Sequence, residues 1–147
     1  MGNSIFKECF VIMPTERECR GYENGHFRKV YDLLIKPAIE NAGMTSISGN
    51  ELKSEKNLEL KALKKIINAP VVVCDLSSLN PKVALGLSIR KTFKRPTILL
   101  WDDITPKAYN WKNMACIDYQ NTLDRDNLQK VREELKISIL DIWTALN

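Results

Sequence analysis

Val71-Val72-Val73-Cys74 is a short, apolar, β-branched run that stops at Asp75. Such a run reads as a strand buried on both faces, the kind found in parallel sheets with helices above and below. Ser77, Ser78 and Asn80 follow within five positions, and Asn80-Pro81 is a helix-start signal. The Asn side chain can accept from free N–H groups of the first turn. Pro81 brings a preset φ and lacks only a donor that would have no helical partner there. A buried strand therefore passes through a polar loop into a helix, with a carboxylate at the strand's C-terminal end. In open α/β sheets, ligands bind at that edge.

The rest of the chain repeats the alternation. Ile5 to Pro14 reads as a first strand with Phe10 to Met13 buried, and Thr15 to Gly25 as a polar loop. Phe27, Val30, Tyr31, Leu34, Ala38 and Ala42 recur at helical spacing up to Gly43, with Pro37 predicting a kink. Met44 to Ser48 is a second strand and Gly49 to Lys56 a loop. Asn57 to Asn68 is a helix expected to turn Leu58, Ala62, Leu63, Ile66 and Ile67 inward. Thr97 to Trp101 is a fourth strand ending in Asp102-Asp103, followed by a loop to Asn113. Met114 to Tyr119 is a fifth strand. Leu128, Val131, Leu135, Ile139, Ile142 and Leu146 line one face of a final helix. This order predicts an α/β flavodoxin-like fold: three layers, with five parallel strands in the order 2-1-3-4-5 and helices on both faces. No linker or repeat divides residues 1–147, so one domain is expected.

Composition narrows the function classes. With 44% hydrophobic and 27% charged residues the chain suits one compact core. The net charge of +4 comes from dispersed basic residues, without the clustered stripe and stacking aromatics of a nucleic-acid groove. Four cysteines show no C-x-x-C spacing, and Cys9, Cys74 and Cys116 lie in or beside apolar runs, so buried reduced thiols are expected. There is no signal-peptide pattern and no apolar run near membrane-spanning length, so a cytoplasmic protein without membrane contact is expected.

G-x-G-x-x-G and the P-loop pattern are absent. A phosphorelay receiver has the same layer order but needs acids just after the first strand, where Met13-Pro14-Thr15 offers none. His26, the sole histidine, reads as a capping or solvated residue, and nothing is spaced to make a metal site with it. Asp75 allows two readings, an Asx turn that satisfies loop N–H groups and a ligand contact. Glu51, in the loop after the second strand, is either a solvated acid or part of the same edge. Trp101 reads as core or crevice wall, and Asp102-Asp103 as solvated acids, with a crevice-facing Asp102 as the alternative. Gly86, inside a helix at a cost of about 1 kcal/mol relative to Ala, implies close approach by a ligand or by a packed neighbour.

Several stretches together resemble a bacterial family of TIR-like and nucleoside 2-deoxyribosyltransferase-like domains. They are Phe10–Pro14 (FVIMP), Val30–Gly43 (VYDLLIKPAIENAG), Cys74–Val83 (CDLSSLNPKV), Ser88–Leu100 (SIRKTFKRPTILL) and Thr105–Tyr119. The resemblance implies chemistry at an N-glycosidic bond, either nucleoside transfer or NAD cleavage and cyclisation, and in many relatives a part in antiphage defence. It implies a catalytic Glu on the helix after Asn-Pro, in a role like that of glycosidase carboxylates. Without gaps, the family's E-L-G falls on Gly86-Leu87-Ser88, so Gly86 stands where that Glu is expected. The other expected site positions are Met13, Pro14, Thr15, Asp75, Ser77, Asn80, Trp101 and Asp102.

The resulting expectation is a catalytically degenerate domain that binds an NAD-, ADP-ribose- or nucleoside-type ligand and requires no cofactor. The expected partners are further copies of the chain in a homo-oligomer and a defence-system partner protein. The alternatives are an active N-glycosidase using Glu51 or Asp75, and an interaction domain that has lost ligands altogether.

Overall fold

The computed structural model of the protein describes residues 7–16, 18–52, 57–107 and 114–146. Five strands, β1 (Glu8–Ile12), β2 (Thr45–Ser48), β3 (Val71–Asp75), β4 (Thr97–Asp102) and β5 (Ala115–Tyr119), form one sheet in the order β2-β1-β3-β4-β5. All four pairings are parallel, with Cys9 opposite Val71, Val72 opposite Thr97 and Leu99 opposite Cys116. This is the expected flavodoxin-like arrangement. Ile5 and Phe6 of the anticipated first strand lie outside the described residues, as do 53–56 and 108–113.

Period-two alternation divides the core between the two faces. Cys9, Val11, Met13, Val71, Val73, Ile98 and Leu100 pack against the helices α1 (His26–Val30), α2 (Lys36–Asn41) and α5 (Arg125–Leu146). Phe10, Ile12, Val72, Cys74, Leu99 and Trp101 face α3 (Leu58–Asn68) and α4 (Pro81–Thr92). Every residue of β3 and β4 is buried, as the unbroken apolar runs require.

Three expectations are corrected. Leu63 is exposed on α3 and Leu146 on α5, because each helix buries a narrower stripe than its apolar content suggests. The side chain of Leu58 lies outside the described set. Cys116 is exposed on β5, an edge strand open to solvent on one side, whereas Cys9 and Cys74 are buried and free. Burial pushes the Cys9 thiol up to about 12, which removes it as a nucleophile at neutral pH.

The helical interruption expected at Pro37 starts one turn earlier, as a π-helical turn over Tyr31–Ile35 in which the Lys36 N–H bonds the Tyr31 carbonyl. Pro37 cannot donate to Leu33, and Arg132 of α5 takes that carbonyl instead, donating through Nη1 at 3.0 Å. Gly43, at φ 85°, ends the unit in the left-handed conformation that costs glycine least.

Arg90 near the end of α4 is fully buried, and no carboxylate is bonded to it among the described residues. Nη1 donates to the carbonyls of Ile66 (2.9 Å) and Ala69 (2.7 Å), and Nη2 to that of Pro96 (2.8 Å). One guanidinium thus ties the end of α3 to the entries of β3 and β4. Burial pulls its pKa down to about 10, with Arg95 adding to the effect, so it stays charged at neutral pH. Among the described residues no helix is long and apolar enough to cross a membrane.

Candidate functional site

Asp75 ends β3 with no exposed surface, and both carboxylate oxygens are occupied. Oδ1 accepts from the Ser77 N–H at 3.0 Å, which is an Asx turn, and Oδ2 accepts from the Tyr119 phenol at 2.7 Å. Because that phenol has given its only proton to Asp75, the 3.1 Å contact between Ser77 Oγ and Tyr119 Oη is donated by the serine. Ser77 Oγ in turn accepts from the Asp102 N–H at 2.9 Å. Asp102, buried at the end of β4, accepts from the Thr105 N–H (2.9 Å) and from the Tyr22 phenol (2.6 Å). Thr105 Oγ1 lies 3.0 Å from that phenol and accepts from the Ser78 N–H at 2.9 Å.

Each donor and acceptor in this chain of contacts has a partner. Burial pushes Asp75 up to about 6; the donors Ser77 and Tyr119 act against that rise and nearby Asp102 reinforces it. Burial, with Asp75 adding, likewise holds the Tyr119 phenol well above its usual range. The Asp102 carboxylate is covered by Tyr22 instead of facing a crevice. Trp101 is 1% exposed, and its indole N–H donates to the Thr105 carbonyl at 2.8 Å, so it presents no stacking face. It is core. His26 neither caps nor meets solvent: the residue before α1 is Gly25, and the imidazole is buried against Tyr22, with ring centroids 4.9 Å apart.

Helix α4 opens as the Asn-Pro pair predicts, with Asn80 Oδ1 accepting from Lys82 N–H (2.9 Å) and Val83 N–H (3.3 Å). Asn80 Nδ2 also donates to Glu16 Oε2 at 3.0 Å, and Lys82 Nζ lies 3.9 Å from Glu16 Oε1. A carboxylate of the chain itself therefore stands beside the helix start, the end of a helix that favours an anion. The preceding loop holds Ser78 and Leu79 at φ 69° and 52°, a conformation that is uncommon for residues with a side chain.

Gly86 is buried. A Cβ built there would lie 3.3 Å from Ile12 Cγ2 and 3.5 Å from Ile66 Cδ1, so the glycine lets α4 pack closely on β1 and α3. A Gly86→Glu chain would start out among apolar groups and is expected to destabilise the fold.

The β1–β2 side is different. Met13 and Pro14 are buried, whereas Thr15 is exposed, with Cγ2 3.6 Å from where a Gly49 Cβ would stand. Glu51 is exposed in the turn Gly49–Leu52, and its Oε1 accepts from the Tyr31 phenol at 2.7 Å. Tyr31 Oη also lies 2.6 Å from Ser46 Oγ. Burial pushes this phenol up to about 12, with Glu51 adding to the effect and Ser46 opposing it. Ser48 shares the Ser46 face of β2, is 1% exposed, and has no hydrogen-bond partner for its hydroxyl among the described residues. No group of three or more His, Cys, Asp or Glu residues among those described could hold a metal.

No family model matches the chain, and no curated protein does. Among solved structures it is similar to the C-terminal domain of glucosamine-fructose-6-phosphate aminotransferase from Francisella tularensis. The TM-score is 0.45 and the identity 16%, covering 97% of this chain and 36% of that one. A likeness this slight carries no chemistry, and the chain spans little more than a third of that protein's length.

The structure thus groups Asp75, Ser77 and Asp102 in one closed network, sets Asn80 beside Glu16, and leaves Thr15 and Glu51 at the surface. Sequence reasoning missed Tyr22, Tyr119, Tyr31, Ser46 and Ser48. The Thr45–Ser48 alternation, with both serines on one face, was the available sign of a polar lining on β2. Nothing local marks either Tyr22 or Tyr119 as the partner of an acid some 80 or 44 residues away.

Proposed function

We propose that the chain is a nucleotide-binding domain of the TIR-like and nucleoside 2-deoxyribosyltransferase-like kind its motifs resemble. It takes an NAD-, ADP-ribose- or nucleoside-type ligand at the C-terminal edge of the sheet and lacks efficient glycosidic-bond cleavage. The observation that supports the second half is at position 86, where a glycine is packed on Ile12 and Ile66 and no carboxylate is available. Asp75 and Asp102 do not substitute for it, since their carboxylates are buried and already bonded. Cleavage through an oxocarbenium-like transition state needs a carboxylate within reach of the anomeric carbon, and its loss costs orders of magnitude in rate. The test is incubation with NAD and with deoxynucleosides, following products by chromatography and binding by calorimetry. Binding without turnover is the expected result, and turnover at an ordinary enzymatic rate overturns it.

A second reading rests on Glu51, the one expected acid of the edge that is both exposed and oriented by a neighbour, the Tyr31 phenol. Were turnover found, Glu51→Gln would abolish it and Asp75→Asn would not. Exposed Ile137 and Leu146 on α5 support a homo-oligomer, which light scattering tests. A role in antiphage defence follows from the resemblance alone and is tested by phage plating on cells with and without the gene.

A further inference from the structure

We infer that Tyr31, Ser46, Ser48 and Glu51, gathered beside the C-terminal end of β2, form a subsite for a neutral vicinal diol such as that of a ribose. The inference rests on the nucleotide-binding reading above and says which part of such a ligand this cluster takes.

Counting protons leads to a group that both accepts and donates, and the position of the cluster on the sheet edge then favours a sugar diol. Tyr31 has one phenolic proton, and a carboxylate can only accept, so that proton goes to Glu51 Oε1. The 2.6 Å contact with Ser46 is then donated by Ser46. Ser48, on the same face of β2 as Ser46, has no partner at bonding distance among the described residues, and its oxygen is out of contact with solvent. A buried hydroxyl left unpaired is costly enough that few native structures keep one without a reason. The cluster therefore has a spare donor at Ser48. It also has a spare acceptor at Glu51 Oε2, to which no donor is bonded among the described residues.

A group that completes both must accept from Ser48 and donate to Glu51. A hydroxyl does both. A phosphate only accepts and is repelled by the carboxylate, while an ammonium only donates. One hydroxyl of a diol would engage Glu51 at the surface, and its neighbour would reach the buried Ser48 only once the cluster opens around Tyr31. The position suits a sugar. The turn carrying Glu51 follows β2 and approaches Thr15 of the loop after β1, on the sheet edge where α/β folds hold ligands and where an acid commonly bonds ribose hydroxyls.

The test compares adenosine, 2′,3′-dideoxyadenosine and methyl β-D-ribofuranoside by calorimetry and by two-dimensional amide NMR. Adenosine and the ribofuranoside are expected to shift the amides of Tyr31, Ser46, Ser48 and Glu51. Dideoxyadenosine is expected to bind about tenfold or more weakly than adenosine. Glu51→Gln, an exposed change that leaves folding intact, should erase that preference without altering dideoxyadenosine binding. Equal binding of the two nucleosides, or a preference untouched by Glu51→Gln, overturns the diol subsite and leaves nucleotide binding standing. If the ribofuranoside shifts these amides while neither a nucleoside nor NAD binds anywhere, the subsite stands and the nucleotide reading falls. If none of the probes shifts them, the subsite is rejected.

Discussion

The two halves of the sheet's C-terminal edge use similar groups to opposite ends. On the β3–β4–β5 side, Asp75, Asp102, Ser77, Thr105 and two tyrosines bond one another so that each of their hydroxyls and carboxylate oxygens has a partner, and only the neighbouring His26 Nε2 is without one among the described residues. On the β1–β2 side, one tyrosine, two serines and one acid leave a hydroxyl unpaired and a carboxylate at the surface. Burial accounts for the difference. β3 and β4 are buried throughout, so a carboxylate at their ends has no water and must find internal donors or hold a proton. β2 is an edge strand of alternating exposure, so solvent serves the Glu51 carboxylate just beyond its end, while the buried Ser48 hydroxyl is left for a ligand to complete. A polar network at a strand's end is thus evidence for a binding site only while it is incomplete.

The largest expected effect separates the halves by stability. Tyr119→Phe removes the donor to a buried carboxylate and should cost about 2–3 kcal/mol in denaturant unfolding at neutral pH. A loss below about 1 kcal/mol would mean that water reaches Asp75, and the closed half would not be closed.

The pH dependence comes next. Asp75 has a folded pKa of about 6, above the usual carboxylate value, so the folded state holds its proton more tightly than the unfolded one. That contribution is full below about pH 4 and is lost as pH rises through 6, amounting to about 2 kcal/mol between roughly pH 4 and 8. Asp75→Asn should remove it, so the mutant gains on the native protein as pH rises. Thermal melts of both across that window check the sign, and parallel curves would show that Asp75 is not the titrating group.

Tyr31→Phe should cost less, about 1 kcal/mol, because the exposed Glu51 carboxylate regains water when the phenol is lost and only the neutral Ser46 hydroxyl loses its acceptor. A loss as large as that of Tyr119→Phe would erase the contrast between the halves. The smallest change belongs to Gly86→Ala. A gain in helix propensity of about 1 kcal/mol is set against crowding of Ile12 at 3.3 Å, which should leave stability nearly unchanged in the same unfolding assay.

What the sequence determined by itself was short-range. The β-branched run at Val71–Cys74, the Asn80-Pro81 helix start, the helical periods and the alternation of elements were enough to reach a parallel sheet in the observed order. These signals lie within a few residues of one another and depend on backbone preference and on which faces must be apolar. Tertiary structure decided the partners. Whether Asp75 is a ligand contact or a satisfied internal acid depends on a tyrosine 44 positions away, brought beside it by the register of β3, β4 and β5. Arg90 looks like any basic residue near a helix end until the ends of α3 and the starts of β3 and β4 converge on it. A lone polar residue at a helix start usually caps or meets solvent, whereas packing against Tyr22 and Phe27 buries His26. Hydrogen bonds and burial are settled by which groups the fold brings within about 3 Å, and local propensity carries no record of those distances.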